Sequence, residues 1–259
     1  MTHADSALAR RIESAEALNA RGCTAIHPQA ASMAIAGGIA VFAGAESPLS
    51  HAVGLGLHGP VDRRELDALE AFFTSRGAKP TVDLCALADA GFVDLLGARG
   101  YRITEFNNVL VKRLAATPIV FTPHVRRALP DEADLWSHTV GRGFFEHAEL
   151  TTEEMDVGRA ICAMPEAMVY LAATETGEPA GGAALAIHSG LATLFADSTV
   201  AHHRRRGFHS ELILARLNEA LAQSCDLATA STLPGGASQR NYERLGFEVA
   251  YTKMTMIRG

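Results

Sequence analysis

Residues 199–217, TVAHHRRRGFHSELILARL, set three consecutive arginines and a glycine directly before an amphipathic helical pattern. The N–H groups of a helix's first turn lack intrahelical acceptors, and the aligned peptide dipoles add roughly half a positive charge there. Further cations at that end are unfavourable unless an anion sits among them, so the stretch predicts a phosphate. A glycine lets the main chain come close enough for consecutive N–H groups to point at such a group, and the arginines add charge. The plain alternative is an exposed basic turn.

The whole chain sets the limits. Its 259 residues are 48% hydrophobic and 20% charged, enough for one large or two small domains, and two is the expectation. A formal charge of −6 argues against a sequence-independent grip on nucleic acid, so the arginine cluster is a local exception. Cys23, Cys85, Cys162 and Cys225 are scattered without C-x-x-C spacing, which fits a reduced, cytoplasmic protein with neither disulfide framework nor zinc site. The first residues, MTHADSALARRIESAEAL, form a polar amphipathic helix and not the apolar core of an export signal. The uncharged run between Arg21 and Glu46 holds Pro28 and Gln29 and is read as buried strand and connection; no membrane partner is expected.

A repeat runs through the chain. LLGARGYRITEFNNVLVKRL and NYERLGFEVAYTKMTMIRG each show the end of a helix, Gly-aromatic, then alternating residues suited to two strands. Gly100-Tyr101 and Gly246-Phe247 are related by a step of 146 (100 to 246). The same step carries Glu65-Leu66 onto Glu211-Leu212, Leu84 onto Ala230 and Gly44 onto Gly190, which suggests two copies of one fold. In the second copy a strand at Val125 precedes a helix opened by Pro130 or Asp131, with Trp136 packing it. A second helix follows, capped by Thr151 or Thr152 with Glu154 nearby. MVYLAAT, AGGAALAIH and LATLFADSTV form a three-strand meander; a helix then runs from about Ser210 to Ser224 with Leu212, Ile213, Ala215, Leu217 and Leu221 toward the core. Strand DLATAS and helix SQRNYERL come next, and AATPIVFTP, with Pro118 and Pro123, is the expected linker.

A strand, then Arg204-Arg205-Arg206-Gly207-Phe208-His209, then a helix, resembles the acyl-CoA loop of the GNAT acyltransferase superfamily, whose pattern is Gln/Arg-x-x-Gly-x-Gly/Ala. Arg204 and Gly207 match, and His209 departs from the final small residue. Downstream, NYERLGF is similar to the family's Tyr-x-x-x-Gly-Phe segment through Tyr242, Gly246 and Phe247. The resemblance covers roughly residues 124–258 and implies an α/β fold of the α+β type: two GNAT-like units, each a mixed, mostly antiparallel sheet flanked by helices. Residues 1–116 would be a degenerate copy and 117–259 the acetyl-CoA-binding one.

The resemblance further implies an acetyl-CoA-dependent N-acetyltransferase acting on a small-molecule or peptide amine, with no metal; a homodimer stays open. Pantetheine would lie along Asp197, Ser198, Thr199, Val200 and Ala201, and the diphosphate on Arg204, Arg205, Arg206, Gly207, Phe208, His209 and Ser210, with Arg205 or Arg206 reaching a ribose phosphate. Tyr242 matches the tyrosine that often protonates the departing thiolate; core packing is its alternative reading. The asparagine that in many members precedes it by seven residues is here Gly235. Asp197, Glu146 and Glu149 are the candidate bases, each read first as an ordinary surface acid. His202, His203 and His209 invite a metal, but loop histidines beside phosphate are more often hydrogen-bond donors, and none is assigned. A CoA-binding sensor without catalysis and a tRNA-dependent aminoacyl transferase are the competing readings, the latter disfavoured by the acidic balance.

The first copy has lost the loop. The step of 146 puts His58-Gly59-Pro60-Val61-Asp62 where the arginines stand in the second. Pro60 removes a main-chain donor and Asp62 brings negative charge to the phosphate position, while making an ordinary N-cap for RRELDALEAFF. One CoA per chain is expected.

Overall fold

The computed structural model describes residues 5–25, 28–115, 120–147 and 149–259, and the chain divides into two compact units: Met1–Val109 with Val249–Gly259, and Leu110–Glu248. The expected boundary at 116/117 and Pro118 of the expected linker lie outside the described residues.

The first unit opens with α1 (Ser6–Gly22), whose N-cap Asp5 accepts from the Leu8 N–H. Strands β1 (Ala31–Ile35), β2 (Gly38–Phe42) and β3 (Ala52–Val53) follow, then α2 (Arg63–Thr74), β4 (Thr81–Cys85), α3 (Ala90–Ala98) and β5 (Tyr101–Arg113), of which the part from Leu110 onward belongs to the second unit. The segment Glu248–Arg258 supplies the last strand of the chain, and it pairs antiparallel with β4 from Lys253↔Cys85 to Ile257↔Thr81. Phe42, Leu66, Leu69, Phe73, Phe92 and Leu96 are buried in one cluster beneath this sheet. Beside it lies a buried polar group. Lys253 pairs with Glu16 and, at 3.2 Å, with Glu13, whose carboxylate also accepts from the Tyr251 hydroxyl at 2.7 Å.

The second unit holds β6 (Val125–Arg127), α4 (Ala133–Phe145) entered through a 3-10 turn at Pro130–Glu132, and α5 (Thr152–Cys162). Thr151 and Glu154 cap α5 reciprocally, so the capping signal in the sequence is realised. Strands β7 (Met168–Ala173), β8 (Pro179–His188) and β9 (Leu191–Thr199) form the expected antiparallel meander. A 3-10 turn (Ala201–His203) leads to α6 (Phe208–Ala222), β10 (Leu227–Thr232), α7 (Ala237–Arg244) and then β11 (Glu248–Arg258), the strand already placed in the first unit. β10 runs parallel to β9, so the sheet is mixed but mostly antiparallel, as expected. Trp136 is fully buried on α4 and donates its indole N–H to the Tyr170 carbonyl at 3.0 Å.

Shifting α2, β4 and α3 by the 146-residue step lands them within two residues of the starts of α6, β10 and α7. Two sequence expectations fail. After Gly100 and after Gly246 the chain makes one long strand each, β5 and β11, and not two. Neither run contains a glycine or proline, and Asn107-Asn108 stays extended inside β5, so nothing turns the chain. Helix α6 also starts two residues early, because Gly207 at φ +91° supplies the left-handed entry.

Candidate functional site

Strands β9 and β10 pair only from Leu191↔Leu227 to Leu194↔Ala230. Two residues later Ala196 has φ +54°, and the β8–β9 register shifts between Gly182 and Ala184. Such a bulge re-aims the side chains that follow it. Asp197 comes next, and three groups converge on its carboxylate: the Arg216 guanidinium from α6, with Nη1 3.1 Å from Oδ2; the Tyr242 hydroxyl from α7, donating to Oδ2 at 2.8 Å; and His209 Nε2 of α6, 3.3 Å from Oδ1. Asn241 holds the other His209 nitrogen at 2.8 Å. Arg216 is fully buried, and it also donates to the carbonyls of Leu212 and Ala184 at 2.9 Å each and of Phe195 at 3.4 Å.

This network corrects the reading of Asp197 as a surface acid, since its side chain is about nine-tenths buried. Burial alone would raise its carboxyl, but the Arg216 charge and the His209 contact more than offset that and hold it below the usual carboxylate range. An acid held so low is a weak proton acceptor at neutral pH. Tyr242 is driven the other way: burial, reinforced by the Asp197 charge, pushes its hydroxyl well above 10, so it stays protonated. Its side chain is entirely buried and packs edge-on against Phe247 and His209. Arg216 escaped the sequence reading. The signal was there, a charge four residues after Leu212 in the apolar row of α6, where only a buried partner makes a guanidinium tolerable.

The arginine loop lies at the N-terminus of α6. Gly207 is the N-cap, no side chain caps it, and a Cβ added at Gly207 would meet nothing within 4 Å. Arg205 is exposed with φ +64°. Arg204 donates to the Thr199 carbonyl at the end of β9 and turns toward α4, where it donates to the Gly143 carbonyl and pairs with Glu146 at 2.7 Å. Arg206 donates to His203 Nδ1 at 3.0 Å and lies over the Phe208 ring. Ser198 Oγ is committed to the Val140 carbonyl, and Thr199 Oγ1 is buried with no hydrogen-bond partner among the described residues. Phe208 is core, and Val200 is buried where its N–H meets the Ala180 carbonyl. The three loop histidines do not cluster together. His209 joins Asp197, whereas His202 and His203 face Glu178. Of the other candidate bases, Glu146 and Glu149 are both exposed. Gly235, where the asparagine is missing, adopts φ +69° and its N–H is taken by Gln239.

The equivalent helix start in the first unit is closed. Asp62 accepts from the N–H groups of Arg64 and Glu65, at 2.8 Å each, and Glu65 reaches back to the Asp62 N–H at 3.0 Å. A capping box of this kind consumes the donors that an anion would need.

No protein-family model matches the chain, and no curated protein does. Solved structures do. A GCN5-related N-acetyltransferase from Kribbella flavida superimposes with a TM-score of 0.71 at 19% identity, over 97% of this chain and 95% of that one. A tandem GNAT protein from the clavulanic acid biosynthesis pathway gives 0.60 at 14% identity, over 97% and 93%. A GCN5-related N-acetyltransferase from Sphaerobacter thermophilus gives 0.53 at 13%, over 85% and 72%. Among the described residues no helix is long and apolar enough to cross a membrane. The chain has the fold of the GNAT N-acetyltransferases, at a length and strand number that fit two copies of it.

Proposed function

We propose that the chain is an acetyl-CoA-dependent N-acetyltransferase, with the second unit as the working copy. The observation that supports this best is the pair of helix starts: α2 caps itself through Asp62 and Glu65, whereas α6 starts at an uncapped left-handed glycine flanked by Arg205 and Arg206. The diphosphate of CoA is received by the first N–H groups of α6, where the dipole and the arginines favour negative charge. The acyl-pantetheine arm runs toward the place where β9 and β10 part. The acceptor amine attacks the thioester carbonyl directly, and the carbon–sulfur bond breaks as the tetrahedral adduct collapses. Tyr242, kept protonated, supplies the proton to the departing thiolate. Asp197 is a positioning residue that fixes the hydroxyl and keeps Arg216 in place. The amine loses its proton to water, because Asp197 is too weak a base.

One observation favours a second reading. Tyr242 is buried and its proton is already given to Asp197, which suits a CoA-binding sensor that never turns over. Free-thiol release from acetyl-CoA in the presence of a panel of amines separates the two. Steady release with one amine, lowered on the order of 10²-fold in kcat by Tyr242→Phe with acetyl-CoA affinity retained, supports the enzyme. Binding of acetyl-CoA without release for any amine, in an otherwise folded protein, supports the sensor.

A further inference from the structure

We infer that Glu178, His202 and His203 form a binding site for a divalent cation of the zinc type, on the second unit and separate from the Asp197 network. His202 and His203 are consecutive on the 3-10 turn after β9, with ring centroids 4.0 Å apart. Glu178 lies in the turn before β8. Both imidazole Nε2 atoms face the same carboxylate oxygen, Oε1 of Glu178, at 3.3 Å from His202 and 3.2 Å from His203. The three ligand atoms all lie within 4.8 Å of one another.

Those separations are the argument. Zinc binds imidazole nitrogen and carboxylate oxygen at about 2.0–2.1 Å in tetrahedral sites, which makes the edge between two ligand atoms about 3.3–3.4 Å. Two edges of that tetrahedron already have the right length. His203 is almost wholly buried, and its Nε2 has no hydrogen bond of acceptable geometry despite the nearby carboxylate. It is therefore a buried polar atom beside Glu178 and still unsatisfied. Glu178 is exposed and also lines a cavity of about 430 Å³ shared with Glu175, Thr176 and Arg206, so solvent that reaches this carboxylate can supply a fourth ligand.

The site is linked to Arg206. An arginine only donates, so its contact with His203 Nδ1 places a lone pair on Nδ1 and the proton of the neutral ring on Nε2. A metal on Nε2 needs that proton on Nδ1, which then has nothing to accept with. Metal binding and the Arg206–His203 contact exclude each other, and the ion releases Arg206. Cys23, Cys85 and Cys162 stay thiols at neutral pH, since burial pushes Cys23 up to about 12 and Cys85 and Cys162 up to about 11.

The test is calorimetric titration of the tag-free full chain with zinc chloride alone, near pH 7.5. One ion per chain with Kd below about 10 µM is expected, weakened at least about 100-fold by Glu178→Gln or His202→Ala, since even residues behind the ligands of such sites are worth 10–100-fold. Both positions are exposed, so these variants keep the fold without relying on a change at buried His203. Arg206→Ala tightens binding about tenfold by removing the competing donor. Absence of binding up to about 100 µM zinc overturns the site, as does an affinity unchanged in both Glu178→Gln and His202→Ala. An unchanged affinity in Arg206→Ala overturns the exclusion between metal and arginine.

Discussion

Replacing Arg216 with methionine, similar in length but uncharged, removes one side of a buried ion pair and leaves the other. Removing one partner of such a pair typically costs 3–5 kcal/mol, because the remaining charge stays desolvated. Arg216 also serves the carbonyls of Ala184 and Phe195, beside the bulge at Ala196. A buried carbonyl left without a partner adds about 1–3 kcal/mol. Arg216→Met should therefore cost on the order of 4–8 kcal/mol, a large part of the 5–15 kcal/mol that holds a typical domain folded. Asp197→Asn on top of it removes the stranded charge and should recover part of the loss, but not the carbonyl part. The pH dependence carries a sign. Asp197 in the intact protein is held below its ordinary range, so its contribution is present above about pH 4 and fades as pH falls through the lower folded value. In Arg216→Met only the His209 contact is left to oppose burial, so that carboxyl titrates higher than in the intact protein and the variant loses less stability as pH falls. The gap between the two proteins should narrow from pH 7 toward pH 3. Urea unfolding followed by near-UV circular dichroism measures it. A cost under about 1 kcal/mol, or a gap independent of pH, would refute the account of Asp197 as a buried, paired carboxylate.

Three further outcomes follow from the same geometry. Acetyl-CoA at a hundredfold excess over Kd should stabilise the protein by about 2.7 kcal/mol; Gly207→Val, strained at φ +91° and projecting where the diphosphate approaches, should abolish that shift in a thermal scan, and a retained shift removes the loop from the site. Calorimetric titration should give one acetyl-CoA per chain, weakened by Arg206→Ala, and a second equivalent of comparable affinity that survives this change would show that the self-capped start of α2 does not exclude the ligand. In the first unit, burial, only partly offset by Lys253, pushes Glu13 up to about 7. The native state then binds more protons than the unfolded chain between about pH 4.5 and 7, so this group's contribution falls as pH rises. Glu13→Gln should gain more stability at pH 8 than at pH 5, and equal effects at both values in urea melts would contradict this.

Much of the fold was legible because its signals are local. Thr151 with Glu154, Asp62 as an N-cap and the 146-residue step each act over a few residues or repeat one pattern, and each reappears as a cap or a matched element. The single long strands β5 and β11 were misread because alternation shows that a run is extended without showing where it stops; only a turn residue would, and there is none. The grouping of Val249–Gly259 with Met1–Val109 has no local signal either, since pairing between Met254 and Leu84 is decided by which edge is available. The sequence put the arginine loop at a helix start and Tyr242 on the helix after it but could not see that Asp197, His209, Arg216 and Tyr242 meet. They come from a bulged strand and two helices, and their meeting depends on Ala196 turning Asp197 inward.

The two helix starts show how the same position in one fold is directed to different ends. At α2 the orphan N–H groups are satisfied within the chain, a cap worth about 1 kcal/mol, and the helix owes nothing to any ligand. At α6 the corresponding groups follow an uncapped glycine, and three arginines add repulsion to the dipole. Part of that repulsion is relieved internally: Arg204 is neutralised by Glu146, and Arg206 is held by the neutral Nδ1 face of His203. Among the described residues Arg205 makes no such contact, and it is exposed. The second unit therefore opens α6 without a side-chain cap and with a charge at Arg205 that its own contacts do not meet, a condition α2 does not share.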